Sequence, residues 1–372
     1  MTIAADLSNF AFSAAGVNTA GFTSRNKIIN GAMVIDQRNS GSSVTSTNDS
    51  YTVDRWAAGY GSPVNAFTIQ QSSTVPAGFK NSMLITAGTG ASASAAGYAY
   101  LRQPIEGFNT ADLSWGTASA SPITISFWVR SSLTGSFGIV VRNSAGDRAY
   151  GATFTIYAAN TFEYKTITIS GDTSGTWLTS NGIGLHLFFD LGVGSNYNVT
   201  AGSWQSFSNA IGVTGTTKLT ATTGATLYIT GVQLEKGTSA TPFEYRNYQQ
   251  ELAMCQRYCY VLTRTTSQAS GGNLDTFGGV GNCWSTVGQF YIQHPVKMRT
   301  APSTTFSTAS SFGMHCPGAS DQTLTAISLW TASVDGMIIR GDFASSLGSW
   351  PPGILVVRSS AASATITTSA EL

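Results

Sequence analysis

The chain has 372 residues, only 10% of them charged, and a formal net charge of +1 at pH 7. An ordinary globular domain is roughly 25% charged, so most of this surface must consist of hydroxyls, amides and glycine. The near-neutral charge excludes the clustered basic face that nucleic-acid binding requires. The 42% hydrophobic share, with 11% aromatic residues, excludes a disordered chain. No run approaches the roughly 18 apolar residues of a membrane span, so we expect no membrane insertion.

The first 25 residues are small, polar and aperiodic, which predicts an extended N-terminal arm or linker. The segment carries Asp6 and no early Lys or Arg, so it is not typical of a signal peptide. We therefore expect a protein that stays where it is made or leaves without a signal, as a virus particle released by lysis does.

Residues 26–245 contain short segments with a period of two, separated by Gly, Ser, Thr and Asn clusters. In ITISFWVRS (123–131), apolar residues alternate with Thr, Ser, Trp and Arg. Comparable alternation occurs in FGIVVRN, ATFTIY, FEYKTITIS, GIGLHLFFDLG and ATLYITGVQLE, and Gly231 in the last of these predicts a bulge. This spacing predicts an antiparallel jelly-roll β-sandwich. We expect its core to contain Trp56, Phe127, Leu187 and Ile229.

The period changes at NYQQELAMCQRYCYVL (247–262). Asn247 followed three residues later by Gln250 is typical of a helix N-terminus, and Leu252, Cys255 and Cys259 share one helical face. We predict one connecting helix within 246–262. PVKMRTAP, LTAISLWTAS, GMIIRGDFAS, GILVVRSS and ATITTSAEL then predict a second β-sandwich domain, the C-terminal head, over 263–372. The predicted class is all-β.

The cysteines are too few and too irregularly spaced for a disulfide scaffold. A zinc site formed with two histidines is the alternative to reduced, buried cysteines, and we predict the latter. The residues concerned are Cys255, Cys259, Cys283, Cys316, His294 and His315.

Four charges lie close together near the start of the first domain: Asp36, Arg38, Asp54 and Arg55. They could form a catalytic pair, a metal or ligand site, or an ion-pair latch. A catalytic pair needs one carboxyl with a raised pKa, whereas an arginine one or two residues away would hold each aspartate ionised. Trp56 beside them is most simply a core anchor. We therefore favour the latch and predict no catalytic residues.

NGAMVIDQRNSG (30–41) and YTVDRW (51–56) resemble the signature that opens a β-sandwich module in tail-fibre proteins of phages and prophages. GVQLEKGTSATPFEYRNYQQELAMCQRYCY (231–260) resembles the segment that joins this module to a C-terminal head, and PVKMRTAP and the final SAEL fit the head's start and end. The chain departs from the pattern at Asp36, where an aromatic residue is common, and at Cys259, where a second Tyr is usual. The resemblance implies a jelly roll similar to carbohydrate-binding modules, carried on a virion appendage. We assign structural roles to Asn30, Gly31, Arg38, Asp54, Arg55 and Trp56.

Three functions remain open. The first is attachment of a phage to a bacterial surface polysaccharide, with aromatic rings packing against sugars. Our candidates are Trp177, Tyr197 and Trp204 in the first domain and Trp330 and Trp350 in the second. Trp350, in the Gly-Pro turn SLGSWPPG, is the strongest of them. For each residue, core packing is the competing interpretation.

The second function is a purely structural fibre or capsid-decoration protein without its own receptor binding. The third is a depolymerase, which we do not favour because neither a β-helix repeat nor a G-x-S-x-G or H-E-x-x-H motif is present.

We predict no cofactor and no metal. The resemblance offers one alternative, a structural calcium near Asn30 and Glu235, although few carboxylates lie nearby in the sequence and calcium takes six to eight oxygens. The expected partners are other virion proteins, bound through the N-terminal arm, and two further copies of the chain in a homotrimer. The helix and the C-terminal domain would lie near the threefold axis. The expected location is the virion, tail or capsid, after synthesis in the host cytoplasm.

Overall fold

The computed structural model describes residues 25–61, 64–265, 276–315, 322–346, 349–357, 361 and 363–372, with side chains for all of these except 265 and 349–351. The predicted arm, apart from Arg25, lies outside the described residues, as do Cys316 and the side chain of Trp350. Among the described residues, no helix has the length and apolar character needed to cross a membrane.

The first domain is an antiparallel jelly-roll β-sandwich, as the alternation predicts. One sheet has six strands in the order β1-β4-β5-β15-β7-β10. Their bounds are β1 Val44–Thr45, β4 Phe67–Ser72, β5 Ser82–Ala87, β15 Thr226–Lys236, β7 Ile123–Ser131 and β10 Glu163–Ile169. The predicted strand 123–131 coincides with β7.

The second sheet has seven strands in the order β13-β9-β8-β11-β6-β3-β2. Their bounds are β13 Trp204–Ser206, β9 Arg148–Ile156, β8 Gly135–Arg142, β11 Ile183–Asp190, β6 Tyr98–Glu106, β3 Ala57–Gly61 and β2 Ser50–Tyr51. A short parallel pair, β12 (Asn198–Val199) and β14 (Gly212–Val213), lies between β11 and β15 in the chain. Single 3₁₀ turns occupy Gly107–Asn109, Ala111–Leu113, Ser195–Tyr197, Leu219–Ala221 and Ala309–Ser311.

The inner faces of the two sheets form one hydrophobic core. The four residues predicted for it, Trp56, Phe127, Leu187 and Ile229, are all fully buried. Burying side chains of this size stabilises a fold by roughly 1.5–3 kcal/mol each. This shared core holds the seven-stranded sheet rigid, so its outer face can present side chains in fixed positions.

The predicted bulge in β15 is confirmed. The pairing register between β15 and β7 shifts between Thr230 and Gln233, and Gly231 has a positive φ of 61°. Gly31 backs onto the same bulge, because a Cβ there would lie 2.1 Å from the carbonyl oxygen of Val232. The expected structural role of Gly31 thus has a steric basis.

The connecting helix is real but shorter than predicted. α1 spans Tyr248–Gln256, and the side chain of Asn247 caps it by accepting a 2.8 Å hydrogen bond from the backbone nitrogen of Gln250. Cys259, expected on the helix, instead begins strand β16 (Cys259–Thr265). The predicted helix is too long because β16 forms by pairing with residues 98 to 110 positions away, which a local pattern does not indicate.

The second domain is all-β, but its strands close into a barrel. The barrel order is β17-β18-β22-β21-β20-β23, and β16, β24 and β19 form a separate three-stranded sheet. The bounds are β17 Thr276–Trp284, β18 Val287–Gln293, β19 Ser303–Phe306, β20 Phe312–His315, β21 Gln322–Ala332, β22 Gly336–Phe343, β23 Ser349–Val357 and β24 Ser363–Ser369. Alternation alone does not distinguish a barrel from a sandwich, since both have one inward and one outward face. PVKMRTAP (295–302) was predicted as a strand, and this is wrong: these residues form bends and irregular backbone, and two of them are prolines.

Candidate functional site

Three of the four charges near the start of the first domain, all except Asp36, form one network with Glu371. Arg55 pairs with Glu371, and Arg38 lies 2.9 Å from the same carboxylate and 3.6 Å from Asp54. The side chains of Asp54 and Arg55 are each 1% exposed. We call Arg38, Asp54, Arg55 and Glu371 the latch.

The latch is held by further contacts on both sides. Arg55 donates a 2.8 Å hydrogen bond to the carbonyl oxygen of Pro104 in β6, and its guanidinium carbon lies 3.6 Å from the centre of the Tyr258 ring. Arg299 donates to the carbonyl oxygens of Ala370 and Glu371, both at 2.7 Å. The last residues of the chain are thereby fixed against the first domain.

Glu106, at the end of β6, makes a second connection to the segment after the helix. Arg257 donates two hydrogen bonds to it, at 2.9 and 2.6 Å, and the Tyr258 hydroxyl donates a third. Burial alone would raise the pKa of Glu106, but these hydrogen bonds outweigh it and lower the pKa below its ordinary value. Glu106 is therefore held as a carboxylate.

The carboxylates of Asp36 and Asp54 both accept hydrogen bonds from nearby backbone or side-chain groups. Asp36 accepts hydrogen bonds from the backbone nitrogens of Asn39 (3.1 Å) and Gly41 (2.7 Å), which closes a turn. Asp54 accepts from the backbone and side chain of Gln37. Burial raises the pKa of Asp54 to about 6, against the opposing effect of Arg38. The sequence predicts that a neighbouring arginine keeps the Asp54 carboxyl ionised. Burial outweighs that effect and raises its pKa, although Asp54 is still a carboxylate at pH 7.

Asn30 joins the start of the first domain to the latch and the helix. It has a positive φ of 58°, its amide donates to the carbonyl oxygens of Ile35 (2.7 Å) and Asp54 (2.9 Å), and its backbone nitrogen donates to Glu251. Its carbonyl oxygen accepts a 3.2 Å hydrogen bond from the indole of Trp56.

The outer face of the seven-stranded sheet carries a pocket of about 320 Å³. Along β6, Tyr98, Tyr100 and Arg102 point outward, because Ala99 and Leu101 between them belong to the core. Loops before β2 and after β13 complete the walls. We call the following set the polar pocket: Asn48, Asp49, Tyr98, Tyr100, Arg102, Arg142, Phe188, Tyr197, Asn209 and Ile211.

Arg102 organises the floor of the polar pocket. It donates to both carboxylate oxygens of Asp49, at 2.8 and 2.6 Å, and lies 2.9 Å from Nδ1 of His186. Since an arginine can only donate, Nδ1 accepts and the proton of the neutral ring sits on Nε2. Burial, with repulsion from Arg102 and Arg142, lowers the pKa of His186 well below its ordinary value. His186 is a neutral support for Arg102.

Aromatic rings form one wall of the polar pocket. Tyr98 and Tyr100 stack with centroids 5.9 Å apart, and Tyr197 meets Tyr98 edge to face at 5.8 Å. The Tyr98 hydroxyl is 3.3 Å from Oδ1 of Asn48, and the Tyr100 hydroxyl is 3.2 Å from Oδ1 of Asp49. The wall thus combines ring faces with hydroxyl, amide and carboxylate groups.

Arg142 forms the opposite part of the floor. Its guanidinium carbon lies 4.9 Å from the centre of the Phe188 ring. Burial and the nearby Arg102 lower the pKa of Arg142 to about 10, so it still carries a positive charge at neutral pH.

Of the predicted glycan-binding residues whose side chains the structure describes, only Tyr197 lines the polar pocket; the side chain of Trp350 lies outside the described part. Trp177 and Trp204 join Trp115 in a cluster with centroids 4.6–5.4 Å apart, packed against the main core. Their indole nitrogens donate to the carbonyl oxygens of Ser174 and Ser170. Trp330 is 54% exposed on the barrel, with Arg340 5.8 Å from its ring.

A second, more apolar groove of about 620 Å³ lies over the outer face of the six-stranded sheet. Trp128, Tyr164 and Tyr245 line it, with few polar side chains beside them. We call it the aromatic groove. It offers ring faces but lacks the charged and amide groups of the polar pocket.

The oxygens of Asn30 and Glu235, the two residues named for a calcium ion, are engaged in hydrogen bonds within the chain. The side-chain oxygen of Asn30 accepts from the backbone nitrogen of Ile35, and the Glu235 carboxylate accepts from Gln233 and Thr241. In the part of the chain that the structure describes, no group of three or more His, Cys, Asp or Glu side chains could hold a metal ion. Cys255, Cys259 and Cys283 are all buried.

Sequence reasoning missed most of the polar pocket. The signal was present in YAYLRQPIE, where Tyr98, Tyr100 and Arg102 alternate with apolar residues, so one face of a single strand carries both rings and charge. Arg142 and Phe188 become neighbours only through the pairing of β8 with β11.

No known protein-family model matches the chain, and neither does any curated protein. Solved structures show weak likeness. The enzymatically active domain of tailspike protein 4 from bacteriophage CBA120 is 15% identical, with a TM-score of 0.31, over 57% of this chain and 21% of that one. A putative sugar-binding protein from Bacteroides thetaiotaomicron is 12% identical, with a TM-score of 0.34, over 57% and 100%. A family 11 carbohydrate-binding module from Clostridium thermocellum is 12% identical, with a TM-score of 0.28, over 53% and 98%. Likeness at this level does not establish a function for the chain.

Proposed function

We propose that the protein is a virion appendage, a tail fibre or spike, that attaches a phage to a bacterial surface polysaccharide, and that the polar pocket binds one of the sugars. The observation that carries the proposal is the pocket itself. Tyrosine rings, two asparagine side chains, a carboxylate and two guanidinium groups converge there on a rigid sheet. Sugars present apolar ring faces and many hydroxyls, and this combination suits both.

The virion context is supported by the tail-fibre signature of the sequence and by the low charge. The protein acts in this proposal as a binding module without catalysis. Asp36 and Asp54, the candidate carboxylate pair, are engaged in a turn and in the latch.

We also propose a homotrimer, although one argument for it, an apolar helix face that needs a neighbouring copy to cover it, does not hold. The apolar side of the helix is covered within the chain, because Leu252 and Cys255 pack in a cluster with Ile29, Ile35 and Tyr258. The resemblance to trimeric fibres remains. Sedimentation of the full chain at micromolar concentration tests it: a trimer is expected, and a monomer would contradict it.

A glycan array of bacterial surface polysaccharides tests the sugar-binding proposal. We expect the wild-type chain to bind a subset of glycans, and Tyr98→Ala and Tyr197→Ala to lose that binding while remaining folded. Tyr157→Ala is the matched control, since Tyr157 is 79% exposed and lies outside the polar pocket. Absence of binding by the wild type, or equal loss in all three variants, would contradict the proposal.

The latch favours a second candidate function, a structural fibre segment without its own receptor binding. It fixes the end of the chain against the first domain and makes a stiff two-domain unit. Binding of the isolated protein to host cells distinguishes the two functions: a purely structural segment would not bind.

A further inference from the structure

Arg142 lies in the polar pocket without a carboxylate partner. Among the described residues, seven other arginines each form an ion pair, namely Arg38, Arg55, Arg102, Arg148, Arg246, Arg257 and Arg340. Arg142 forms none with any described residue. Within the described part of the chain, its one hydrogen bond is a long contact of 3.5 Å from Nη1 to the carbonyl oxygen of Ala210, and its buried Nε finds no partner there.

The charges that face Arg142 leave an excess of one positive charge. Arg102 and Arg142 are the cations of the polar pocket, and Asp49 is its one carboxylate. Both oxygens of Asp49 are already engaged by Arg102. His186 beneath them is neutral, and Asn48 and Asn209 carry no charge.

A half-buried cation without a counter-charge lacks the charge-assisted hydrogen bonds that would compensate its desolvation. Phe188 provides a ring face for the guanidinium, but a ring supplies much less than an anion does. Nη2 makes no hydrogen bond with any described residue. The guanidinium of Arg142 can therefore donate hydrogen bonds to a negatively charged acceptor that enters the pocket.

We infer that the glycan bound in the polar pocket carries an anionic group, either the carboxylate of an acidic sugar or a phosphate ester, and that Arg142 pairs with it. This inference rests on the proposed sugar-binding function and names the class of its ligand. A planar guanidinium suits both groups, because each offers two oxygens to its parallel N–H donors. A neutral sugar would occupy the same space and leave the positive charge uncompensated.

Matched sugars test the inference. The probes are glucose, galactose and mannose, each with its uronic acid and its 6-phosphate, and binding to the full chain is measured by ligand-observed NMR titration. At least one acidic form should bind about 10- to 100-fold more tightly than its neutral parent, the range expected for a hydrogen bond to a charged group. The uronic acids and the phosphates separate the two sources of negative charge.

Arg142→Gln should remove the preference for the acidic sugar and leave weak binding of the neutral one. Arg142→Lys keeps the charge and should retain part of the preference, and thermal melting shows whether each variant folds. Arg130→Gln is the matched control, because Arg130 also lies 4.9 Å from an aromatic ring, that of Tyr228, but outside the polar pocket. It should bind as the wild type does.

Two results would overturn this inference and leave the proposed sugar binding intact. In the first, neutral sugars bind as tightly as acidic ones, and their binding depends on Tyr98. In the second, the preference for acidic sugars survives in Arg142→Gln. Failure of every probe, together with failure of the glycan array, would overturn the proposed sugar binding as well.

Discussion

The guanidinium of Arg55 pairs with the carboxylate of Glu371, which lies 316 residues further along the chain. Both side chains are buried, at 1% and 7% exposure. The pair connects the beginning of the first domain to Glu371, which follows the last strand of the second domain. It therefore links the two domains through a contact outside both of their hydrophobic cores.

Replacing Glu371 by Gln should lower the free energy of unfolding by about 3–5 kcal/mol, the cost of removing one partner from a buried ion pair. Arg55 would lose its counter-charge, and Arg38 would keep only Asp54, at 3.6 Å. Urea unfolding measures the change. The control is Asp335→Asn, which breaks an exposed pair of 3.8 Å with Lys297 and should cost under about 1 kcal/mol. Equal effects of the two substitutions would refute the latch.

Asp54 should make stability depend on pH. Burial raises its folded-state pKa from 3.8 to about 6, so the folded protein binds the proton more tightly than the unfolded chain does. The resulting stabilisation is fully present below pH 3.8 and is lost as the pH rises through 6, by about 3 kcal/mol. Asp54→Asn should abolish this part of the slope in urea unfolding between pH 4 and pH 7. A variant with the wild-type slope would show that Asp54 titrates normally.

Trp204 should matter for stability rather than for sugar binding. Its ring packs 5.2–5.4 Å from Trp115, Trp177 and Tyr150. Trp204→Ala should therefore cost about 3 kcal/mol, in the range for truncating a large aromatic side chain, and should leave binding in the polar pocket unchanged. Trp330 is exposed on the barrel, so Trp330→Ala should lower the free energy of unfolding by far less. Loss of glycan binding in Trp204→Ala without loss of stability would return Trp204 to the list of sugar contacts.

Asp49 should act on binding through Arg102. Its carboxylate holds that guanidinium with two hydrogen bonds and also accepts from the Tyr100 hydroxyl. Asp49→Asn should raise the Kd for a bound glycan about tenfold, the effect of one misplaced charged group, with a small change in melting temperature. Isothermal titration checks this, with Asp335→Asn as the charge-matched control. Unchanged affinity would show that the floor of the polar pocket is not organised by Asp49.

The elements that the sequence predicts well are those with a strong local pattern. β7 matches its nine-residue alternation, and the N-cap at Asn247 follows from a local motif. The helix was predicted too long because what ends it is not local: Arg257 and Tyr258 bind Glu106 of β6, and β16 pairs with β24 at the other end of the chain.

The polar pocket was harder to predict for the same physical reason. Tyr197 stood out as an aromatic residue in a loop, but its neighbours come from β6, β8 and β11 and from two loops. Asp49 and Arg102 are 53 residues apart. Nothing in the local sequence distinguishes Arg142, which forms no ion pair with any described residue, from Arg102, which pairs with Asp49 in the same pocket.

The most direct test of the account is a crystal structure of the full chain with the glycan that the array identifies. The account predicts a sugar ring in the polar pocket against Tyr98 and Tyr197, with an acidic group of the glycan within hydrogen-bond distance of the Arg142 guanidinium. A glycan bound instead in the aromatic groove, against Trp128 and Tyr164, or on the barrel beside Trp330, would contradict it.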